Sequence, residues 1–468
     1  MAWSRYNTLW HSTQSGYFLY NTLSNSLLEL DEEYYQLLEL IRNNGGNAAT
    51  TIDRDFSSLL YEKMILDEGD GETQKLFALH NLRQTICMDT SRLGLTICPT
   101  LQCNFRCPYC FEEVWKQFTP MSAETQKRLL TFIMNYKNIR HLSITWYGGE
   151  PLLAFDVIVQ LTEKFKALPL EFEGACMVTN GYLLNRERID KLNDLNINSI
   201  KITLDGPREV HDSRRLLADG SPTFQVILDN IDTLMNSGYR GICTVRVNID
   251  KHNHERYFEL REALLHRFRG KKLTVYAGRI STSMNHSYDH GCNLNLKEWS
   301  EFTLDKAHNS TLLSTGEFYP ANNLKSICVA TTQHGFVVGP EGELYKCWED
   351  TGKPEMVTGN IHEKNPVTNP ELQELYLSGS DPYIDPVCLE CKVLPLCGGG
   401  CPSKRLRAKQ FGEKGVEFCS PFKVNIITSL ERYIESFRTM EICTAVLTPG
   451  VEKNDNRGYR VISPEKNS

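Results

Sequence analysis

The middle of the sequence alternates short apolar runs with amphipathic stretches, and this rhythm restricts the fold more than any other feature. The apolar runs have the length of strands and cover residues 93–98, 142–147, 175–179, 199–204, 243–249 and 273–277. The stretches between them space apolar residues as helices do and cover residues 123–136, 155–167, 186–195, 224–236 and 254–267. Repeated strand and helix predict an α/β fold with a parallel sheet, closed or partly closed as a barrel. Functional residues are then expected in the loops after the strands.

The regions on either side of this barrel, which we assign to residues 91–300, have a different character. Residues 1–90 begin with three strand-like runs (6–9, 17–23 and 27–30) and continue with two helix-like stretches (31–43 and 55–64). Strands followed by helices predict a small winged-helix-like module.

Residues 301–423 are rich in loop signals, and we expect metal clusters rather than an apolar core to hold this region together. The final segment, 424–468, is predicted to form a closing helix at 424–440 and a polar, mobile tail from residue 454.

The overall composition restricts the classes of molecule that the chain is expected to bind. The formal net charge is −7, so the whole chain offers no general attraction to nucleic acid or to an anionic membrane. No run approaches the roughly 18 apolar residues of a membrane span, and the first residues lack the pattern of a secretory signal. We therefore expect a cytoplasmic protein that acts on a discrete substrate, with no nucleic-acid or membrane partner.

Sixteen cysteines in a reducing compartment indicate metal ligands or catalysts rather than disulfides. Three of them, Cys103, Cys107 and Cys110, lie in the loop after the first barrel strand. Three thiolates in one loop can bind three irons of a 4Fe-4S cluster and leave the fourth iron open to a small molecule. The alternative is that the three cysteines form part of a zinc site. Such a site needs a fourth ligand close by, and residues 99–114 contain no other cysteine or histidine.

A second group of seven cysteines lies in the loop-rich region: Cys328, Cys347, Cys388, Cys391, Cys397, Cys401 and Cys419. A single Cys-x2-Cys pair there would favour zinc. The remaining six cysteines are interpreted as small buried apolar side chains. The basic run of Lys404, Arg405, Arg407 and Lys409 is interpreted as a solvated helix face, with compensation of cluster charge or binding of an acidic peptide as the alternatives.

Four motifs that follow successive strands resemble the signature of the radical SAM superfamily. They are Cys103-Asn-Phe-Arg-Cys107-Pro-Tyr-Cys110, Tyr147-Gly148-Gly149-Glu150-Pro151-Leu152, Thr179-Asn180-Gly181 and Thr203-Leu204-Asp205-Gly206-Pro207. A glycine pair taken alone indicates only a turn, so the order of the motifs carries the resemblance. It implies a partial (β/α)6 TIM-like barrel.

The resemblance also implies an enzyme that binds S-adenosylmethionine (SAM). Tyr109 would lie by the adenine, Gly148, Gly149 and Glu150 would receive the methionine ammonium, Thr203 would lie near the ribose, and Arg215 near the carboxylate. Relatives often carry serine at the position of Thr203, and threonine keeps the hydroxyl. An external donor such as flavodoxin or ferredoxin would reduce the cluster, and a 5′-deoxyadenosyl radical would then abstract hydrogen from an unactivated carbon. No catalytic residue is assigned from the sequence.

The seven cysteines resemble a SPASM domain with two auxiliary 4Fe-4S clusters, which would bring the total to three. In such domains the cysteines matching Cys388, Cys391, Cys397 and Cys419 bind one cluster, and those matching Cys328, Cys347 and Cys401 bind the other. Sulfatase-maturing relatives supply a further cysteine where this sequence has Asn322, and a catalytic aspartate where it has Trp348. The incomplete cluster would stay open, take a substrate atom or bind Cys292.

Proteins of this layout mostly modify ribosomally made peptides, so the resemblance implies a peptide maturase that forms a thioether or a carbon-carbon crosslink. The N-terminal module would bind the leader of the precursor peptide by adding its backbone to a sheet edge, or it would merely cap the barrel. An anaerobic sulfatase-maturing enzyme that makes formylglycine is the alternative activity, which Trp348 disfavours. An electron-transfer protein without SAM chemistry is a further alternative, which the intact glycine motif and Arg215 disfavour.

Overall fold

The computed structural model describes residues 2–44, 52–112, 119–280, 290–308, 318–320, 327–447 and 458–462. Its N-terminal elements are β1 (Ala2–Trp3), β2 (Asn7–Ser12), β3 (Gly16–Asn21), β4 (Ser26–Leu30), α1 (Glu32–Asn43), α2 (Arg54–Glu62), β5 (Leu66–Asp67) and α3 (Gly71–Cys87). β2, β3 and β4 form an antiparallel sheet. Leu19 and Leu28 on one face of this sheet are buried against Leu38 of α1 and Phe56 of α2. The predicted strands and helices are thus present, and α3 is an additional helix.

The barrel follows directly. Its elements are β6 (Arg92–Ile97), α4 (Ala123–Met134), β7 (His141–Trp146), α5 (Phe155–Lys166), β8 (Glu171–Thr179), α6 (Arg186–Lys191), β9 (Ile197–Thr203), α7 (Arg208–Asp212), α8 (Phe224–Met235), β10 (Ile242–Ile249), α9 (Tyr257–Arg267), β11 (Leu273–Arg279) and α10 (Leu296–His308). β6 to β11 lie side by side in chain order, and every pair is parallel. The prediction of a partial (β/α)6 barrel is confirmed. The carboxyl ends of these strands meet at one rim, which is where the cysteine loop begins.

The C-terminal region continues the barrel sheet. Its elements are β12 (Gly335–Val338), β13 (Glu343–Tyr345), β14 (Gly359–Asn360), α11 (Pro370–Glu374), α12 (Pro386–Leu389), α13 (Leu394–Cys397), α14 (Pro402–Lys409), α15 (Phe422–Leu447) and β15 (Tyr459–Ile462). β12 pairs in parallel with β6, and β13 and β14 follow, so the sheet has nine strands. A region that we expected to be loop-rich therefore shares backbone hydrogen bonds with the barrel. Within the residues given above, no helix combines the length and apolar character needed to cross a membrane.

One expectation about the C-terminus is wrong. We predicted a mobile tail from residue 454, but residues 459–462 form β15, which pairs antiparallel with β4 of the N-terminal sheet. The sheet order is β15-β4-β3-β2. Four residues that alternate between two faces give too short a pattern to stand out in a polar segment, and the partner strand lies at the other end of the chain. Residues 454–457 and 463–468 of the predicted tail lie outside the described ranges.

Candidate functional site at the barrel rim

The three-cysteine loop leaves the carboxyl end of β6 and folds back on itself. The Sγ atom of Cys103 accepts a hydrogen bond from the backbone N–H of Phe105 at 3.4 Å, and the N–H of Cys110 donates to the carbonyl of Cys107 at 3.2 Å. Burial raises the pKa of the Cys103 thiol to about 12. Such a thiol ionises when a metal ion takes the proton's place, so the donor set fits an iron-sulfur cluster.

The same loop is clamped by the chain segment that follows Arg215. The N–H of Arg106 donates to the carbonyl of Leu216 at 2.9 Å, and the N–H of Ala218 donates to the carbonyl of Asn104, also at 2.9 Å. The amide of Asn180, after β8, donates to the side-chain oxygen of Asn104 at 2.8 Å. Backbone hydrogen bonds from the segment after Arg215, and a side-chain hydrogen bond from the loop after β8, therefore fix the path of the cysteine loop.

The glycine motif after β7 lies against this loop at a distance that only glycine permits. Gly148 has a positive φ of 109°, and a Cβ atom there would lie 2.4 Å from the carbonyl oxygen of Thr100. A Cβ atom on Gly149 would lie 2.4 Å from the carbonyl oxygens of Leu101 and Gln102. The two glycines thus bring the backbone next to the cysteine loop, where the N–H of Gly149 donates to the carbonyl of Thr100 at 3.3 Å, and both glycines line a cavity.

Glu150 lies beneath this segment instead of lining the cavity. It is fully buried, and its Oε1 accepts hydrogen bonds from the N–H of Leu152 at 3.0 Å and from the hydroxyl of Thr179 at 2.7 Å. Its Oε2 accepts from the N–H of Asn180 at 2.7 Å. Burial raises the pKa of Glu150 while these hydrogen bonds lower it. The carboxylate therefore ties the glycine motif to the loop after β8.

Arg215 and Tyr109 meet on the opposite side of the cavity. The guanidinium NH1 of Arg215 donates to the hydroxyl of Tyr109 at 2.7 Å, and that hydroxyl donates to Oδ2 of Asp205 at 2.5 Å. The Nε atom of Arg215 is buried and has no hydrogen-bond partner among the described residues. A buried charged donor left without a partner is costly, so this atom suits a carboxylate ligand.

The Arg214 side chain ties Tyr109 to two buried carboxylates. Its Nε donates to Asp205 at 3.2 Å, its NH1 donates to Asp250 at 2.9 Å, and its guanidinium lies 5.2 Å from the centre of the Tyr109 ring. Both carboxylates are paired with the same buried guanidinium, and this guanidinium lies against the ring of Tyr109. The two ion pairs therefore restrict the movement of the tyrosine ring.

His211 supports the same network as a neutral ring. Its Nδ1 accepts from the N–H of Asp205 at 3.3 Å, and its Nε2 contacts the hydroxyl of Thr223 at 2.9 Å. That hydroxyl donates to the carbonyl of Arg215, so Nε2 must be the protonated nitrogen. Burial, and then the nearby Arg215 and Arg214, lower the pKa of His211 well below its usual value.

A cavity of about 230 Å³ brings most of the predicted residues together. Its lining includes Cys103, Cys107, Cys110, Tyr109, Gly148, Gly149, Thr203 and Arg215, whereas Glu150 is not part of it. The C-terminal region closes one wall with Trp348, whose ring stacks on Tyr147 with centroids 5.0 Å apart. Trp348 stands where sulfatase-maturing relatives were expected to carry aspartate, and here it packs as a wall.

Sequence reasoning missed several polar residues of this lining. Lys201 was missed although it lies two residues before the predicted Thr203 on β9, and Arg246 and Asn248, also two residues apart, were missed on β10, so each pair shares a strand face. Polar residues at every second position of an otherwise apolar barrel strand were the available signal. Glu349 was also missed, and its buried Oε2 has no hydrogen-bond partner in the described part of the chain.

The cysteines of the C-terminal region form two neighbourhoods. Burial raises the pKa of the Cys347 thiol, and Asp350, Glu349, Cys401 and Cys328 are close enough to raise it further. The grouping of Cys328, Cys347 and Cys401 as ligands of one cluster stays a prediction. Among the described residues, no three or more Cys, His, Asp or Glu side chains converge as ligands of a single metal ion. Asn322 lies outside the described residues, and Cys292 lies with its Sγ 2.7 Å from Nε2 of His252.

The second neighbourhood contains Cys388 and corrects the interpretation of the basic run. Arg405 is almost fully buried, and its NH2 donates to the Sγ of Cys388 at 2.9 Å and to the carbonyl of Gly399 at 3.0 Å. Arg405 and Lys409 both pair with Asp385. The run is therefore not simply a solvated face, because the guanidinium of Arg405 is buried and donates a hydrogen bond to a thiol. Cys391, Cys397 and Cys419 are partly buried.

The comparisons with known proteins agree with this fold. Residues 97–264 match the family model described as the radical SAM superfamily. The chain is 24% identical over 357 residues to the serine-type anaerobic sulfatase-maturating enzyme of Bacteroides thetaiotaomicron. This match covers 68% of this chain and 84% of the relative. It is 22% identical over 269 residues to the radical SAM cyclopropyl synthase TigE of Paramaledivibacter caminithermalis, covering 50% of this chain and 55% of the relative.

Among solved structures, native anSMEcpe with bound AdoMet and Kp18Cys peptide superposes with a TM-score of 0.57 at 21% identity. The match covers 76% of this chain and 100% of that one. A parallel barrel with three cysteines at its rim defines the radical SAM class. Residues 97–264 form a radical SAM domain, and the chain is an enzyme similar to a maturase of sulfatases and to a radical SAM cyclopropyl synthase.

Proposed function

We propose that this enzyme modifies a peptide, with SAM bound in the cavity at the barrel rim and a 4Fe-4S cluster held by Cys103, Cys107 and Cys110. The observation that carries the proposal is that three cysteines, two glycines and a partly unpaired buried guanidinium line one cavity. The similar anSMEcpe structure holds AdoMet and a peptide together. When bound, the cofactor and a reduced cluster supply hydrogen abstraction from an unactivated carbon.

The residues of this chain would bind and orient the reactants. Arg215 would hold the methionine carboxylate through Nε, and the peptide groups of Gly148 and Gly149 would bind the methionine ammonium. The stacked rings of Tyr147 and Trp348 would exclude water from the side of the C-terminal region. Glu349 would accept a hydrogen bond from the substrate, since its buried oxygen lies on the cavity wall.

Two further clusters would be held by the seven C-terminal cysteines in the sets of four and three given above. The set of three, Cys328, Cys347 and Cys401, would leave an iron to which a substrate thiolate could bind, which favours a thioether product over a carbon-carbon crosslink. An external electron donor such as flavodoxin or ferredoxin would reduce the clusters.

Formylglycine formation is the second candidate function, and the similarity to sulfatase-maturating enzymes favours it. The expected products can be separated. A crosslink removes two hydrogens from the peptide and joins two residues, whereas formylglycine carries an aldehyde that reacts with a hydrazide. Trp348 in place of an aspartate leads us to expect a crosslink without an aldehyde.

The test is anaerobic co-expression with short reading frames encoded beside the gene, followed by mass spectrometry and hydrazide labelling. In parallel, the reduced protein is assayed for release of 5′-deoxyadenosine. Cys107→Ala should reduce this release to background, whereas Cys176→Ala, which removes a thiol from β8 away from the cavity lining, should leave it unchanged. Equal release from both variants would refute the assignment of the cluster ligands. A lack of change in every peptide would refute the maturase.

A further inference from the structure

Two cations on the wall of the rim cavity have no carboxylate partner. Four cationic side chains line this cavity, those of Lys201, Arg215, Arg246 and Arg279. Arg279 pairs with Glu417, and Arg215 is the residue that would hold the carboxylate of SAM. Within the part of the chain that the structure describes, neither Lys201 nor Arg246 forms an ion pair. Cations left unpaired on a partly closed cavity attract an anionic ligand, because water screens them poorly there.

The two unpaired cations belong to one wall, which β9, β10 and β11 form. Arg246 lies on β10, directly opposite Thr203 of β9 and Tyr276 of β11, and all three side chains line the cavity. Lys201 comes two residues before Thr203 on β9, so it lies on the same strand face. Both cations are half-buried, so they are accessible to a ligand of the cavity.

A neighbour on the same strand orients the guanidinium of Arg246. Its Nε donates to Oδ1 of Asn248 at 2.8 Å, and Nδ2 of Asn248 donates to the hydroxyl of Tyr109 at 3.1 Å. The NH1 and NH2 groups of Arg246 have no hydrogen-bond partner among the described residues. A guanidinium held in this way offers two terminal N–H groups in a fork, the arrangement that binds a carboxylate through both of its oxygens.

Gly278 on β11 leaves the space that this guanidinium occupies. A Cβ atom on Gly278 would lie 2.5 Å from Nε of Arg246 and 2.9 Å from both Cζ and NH2. The φ of Gly278 is not positive, so its backbone conformation does not require glycine. Glycine weakens the interior of a strand and often marks the close approach of another group. The glycine at this position therefore makes room for Arg246.

The charges of the cavity leave Arg246 available to the substrate. SAM carries one carboxylate, for which Arg215 offers its buried Nε, and its sulfonium is positive and would be repelled by a second guanidinium. Two carboxylates line the cavity, those of Glu112 and Glu349, and Arg246 forms an ion pair with neither. An anion that satisfies Arg246 must consequently come from the other reactant.

We propose that Arg246, assisted by Lys201, binds a carboxylate of the substrate peptide, so that the enzyme acts beside an aspartate, a glutamate or the C-terminal residue. The proposal rests on the proposed function for the peptide nature of the substrate. Glu349, on the same cavity, would accept a hydrogen bond from an N–H group. Two contacts of opposite charge would thus orient the peptide and hold its reacting carbon in one place.

The binding test uses synthetic tripeptide probes and the full chain loaded anaerobically with its cluster and SAM. N-acetyl-Ala-Asp-Ala-amide is compared with N-acetyl-Ala-Asn-Ala-amide, and N-acetyl-Ala-Ala-Ala with a free C-terminus is compared with its amide, by NMR titration. We expect the carboxylate to bind about tenfold tighter or more than the amide in at least one pair, because only the carboxylate forms charge-assisted hydrogen bonds with the fork. The pair that shows the preference identifies the source of the carboxylate. Equal affinities within both pairs would overturn the proposal.

Variants assign the preference to the guanidinium. Arg246→Gln should abolish it, and so should Gly278→Ala, which displaces the guanidinium but keeps every cation. The controls are Arg240→Gln, an exposed arginine just before β10, and Gly238→Ala, which has open space around it. Both controls should retain the preference.

A preference that persists in Arg246→Gln and in Gly278→Ala would overturn the assignment. If Arg246→Gln fails to fold, Gly278→Ala still provides the test. Loss of SAM affinity in Arg246→Gln as large as the loss in Arg215→Gln would assign the second guanidinium to SAM and would also overturn the proposal.

The same contact is tested on any peptide that co-expression identifies as modified. Its acidic residues are replaced one at a time by the matching amides, and its C-terminus is amidated. One of these changes should raise KM about tenfold or more for the wild-type enzyme. The same change should cause no further rise for Arg246→Gln, because the contact is already lost.

This experiment separates the carboxylate site from the proposed function. Modification that none of these replacements affects would overturn the site while the peptide-modifying function stands. A chain that prefers the acidic probes through Arg246 but modifies no peptide would retain the site and refute the function.

Discussion

The cysteine loop of the barrel and the Cys388 neighbourhood of the C-terminal region hold their thiols by different means. In the barrel, the loop is fixed by backbone hydrogen bonds such as Arg106 N–H to Leu216, and the Sγ of Cys103 accepts from the backbone N–H of Phe105. In the C-terminal region, a buried guanidinium donates directly to Cys388. Backbone clamping fixes position, whereas a charged donor also compensates the negative charge of a thiolate.

This difference shows which properties each region controls. A site that must receive a ligand in one orientation benefits from a rigid frame that does not depend on charge. The cluster proposed for the Cys388 set would transfer electrons, and hydrogen bonds to sulfur and local charge would adjust its reduction potential. Substitutions that remove one kind of support should therefore have different consequences in the two regions.

The largest effect is expected for Arg405→Ala. Removing this buried cation leaves Asp385 with Lys409 as its remaining cationic partner among the described residues and removes the guanidinium donor of Cys388, so we expect the free energy of unfolding to fall by about 3 kcal/mol. Chemical denaturation under anaerobic conditions measures the change. Arg186→Ala is the control, because that exposed i,i+4 partner of Asp190 should contribute nothing measurable. Equal stability of the two variants would show that the guanidinium does not support this region.

The next effect is expected for Gly149→Ala. The new Cβ would lie 2.4 Å from two carbonyl oxygens of the cysteine loop, so the loop and its thiols must shift. A displacement of about 1 Å in a catalytic site lowers activity about 100-fold. Release of 5′-deoxyadenosine is the measurement. Gly94→Ala, whose Cβ would meet its neighbours at an ordinary 3.7 Å, should retain activity. A fully active Gly149→Ala enzyme would mean that the close approach of the two loops is not required.

A smaller effect is expected from pH. The folded chain keeps His211 neutral, whereas the unfolded chain protonates this histidine below its ordinary pKa of about 6.5. Stability should therefore be lost as pH falls, by about 1.4 kcal/mol at pH 5.5 from this group. His211→Gln should lose less stability than the wild-type chain between pH 7.5 and 5.5, and the same change at exposed His266 should not alter the dependence. Parallel pH profiles for wild type and His211→Gln would contradict the neutral ring.

Local sequence patterns predicted the barrel well. All six predicted barrel strands are present, and five begin within two residues of their predicted starts, because a buried parallel strand is a continuous apolar run. The cysteine loop and glycine motif were also found, since their residue types are specific to their chemistry. α3 was missed because only Leu76, Leu79 and Cys87 of its 17 residues are buried, which gives a weak helical stripe.

The features that sequence reasoning missed depend on partners far away in the chain. Arg405 is buried only because Asp385 and Cys388 fold against it, and β15 is a strand only because β4 offers an edge. Glu150 was expected in the cavity, yet it is turned inward by three donors from the loops after β7 and β8. Residue type indicated chemistry in each case, but the direction of the side chain was decided by tertiary contacts.

The parallel pairing of β12 with β6 has a consequence for how the molecule opens. β6 leads into the loop with Cys103, and β12, through β13, leads to Cys347. Neither loop can separate from the other without breaking the hydrogen-bond ladder between these central strands. Amide hydrogens of β6 and β12 should consequently exchange together, in one slow subglobal unfolding event, while the outer strand β11 exchanges independently.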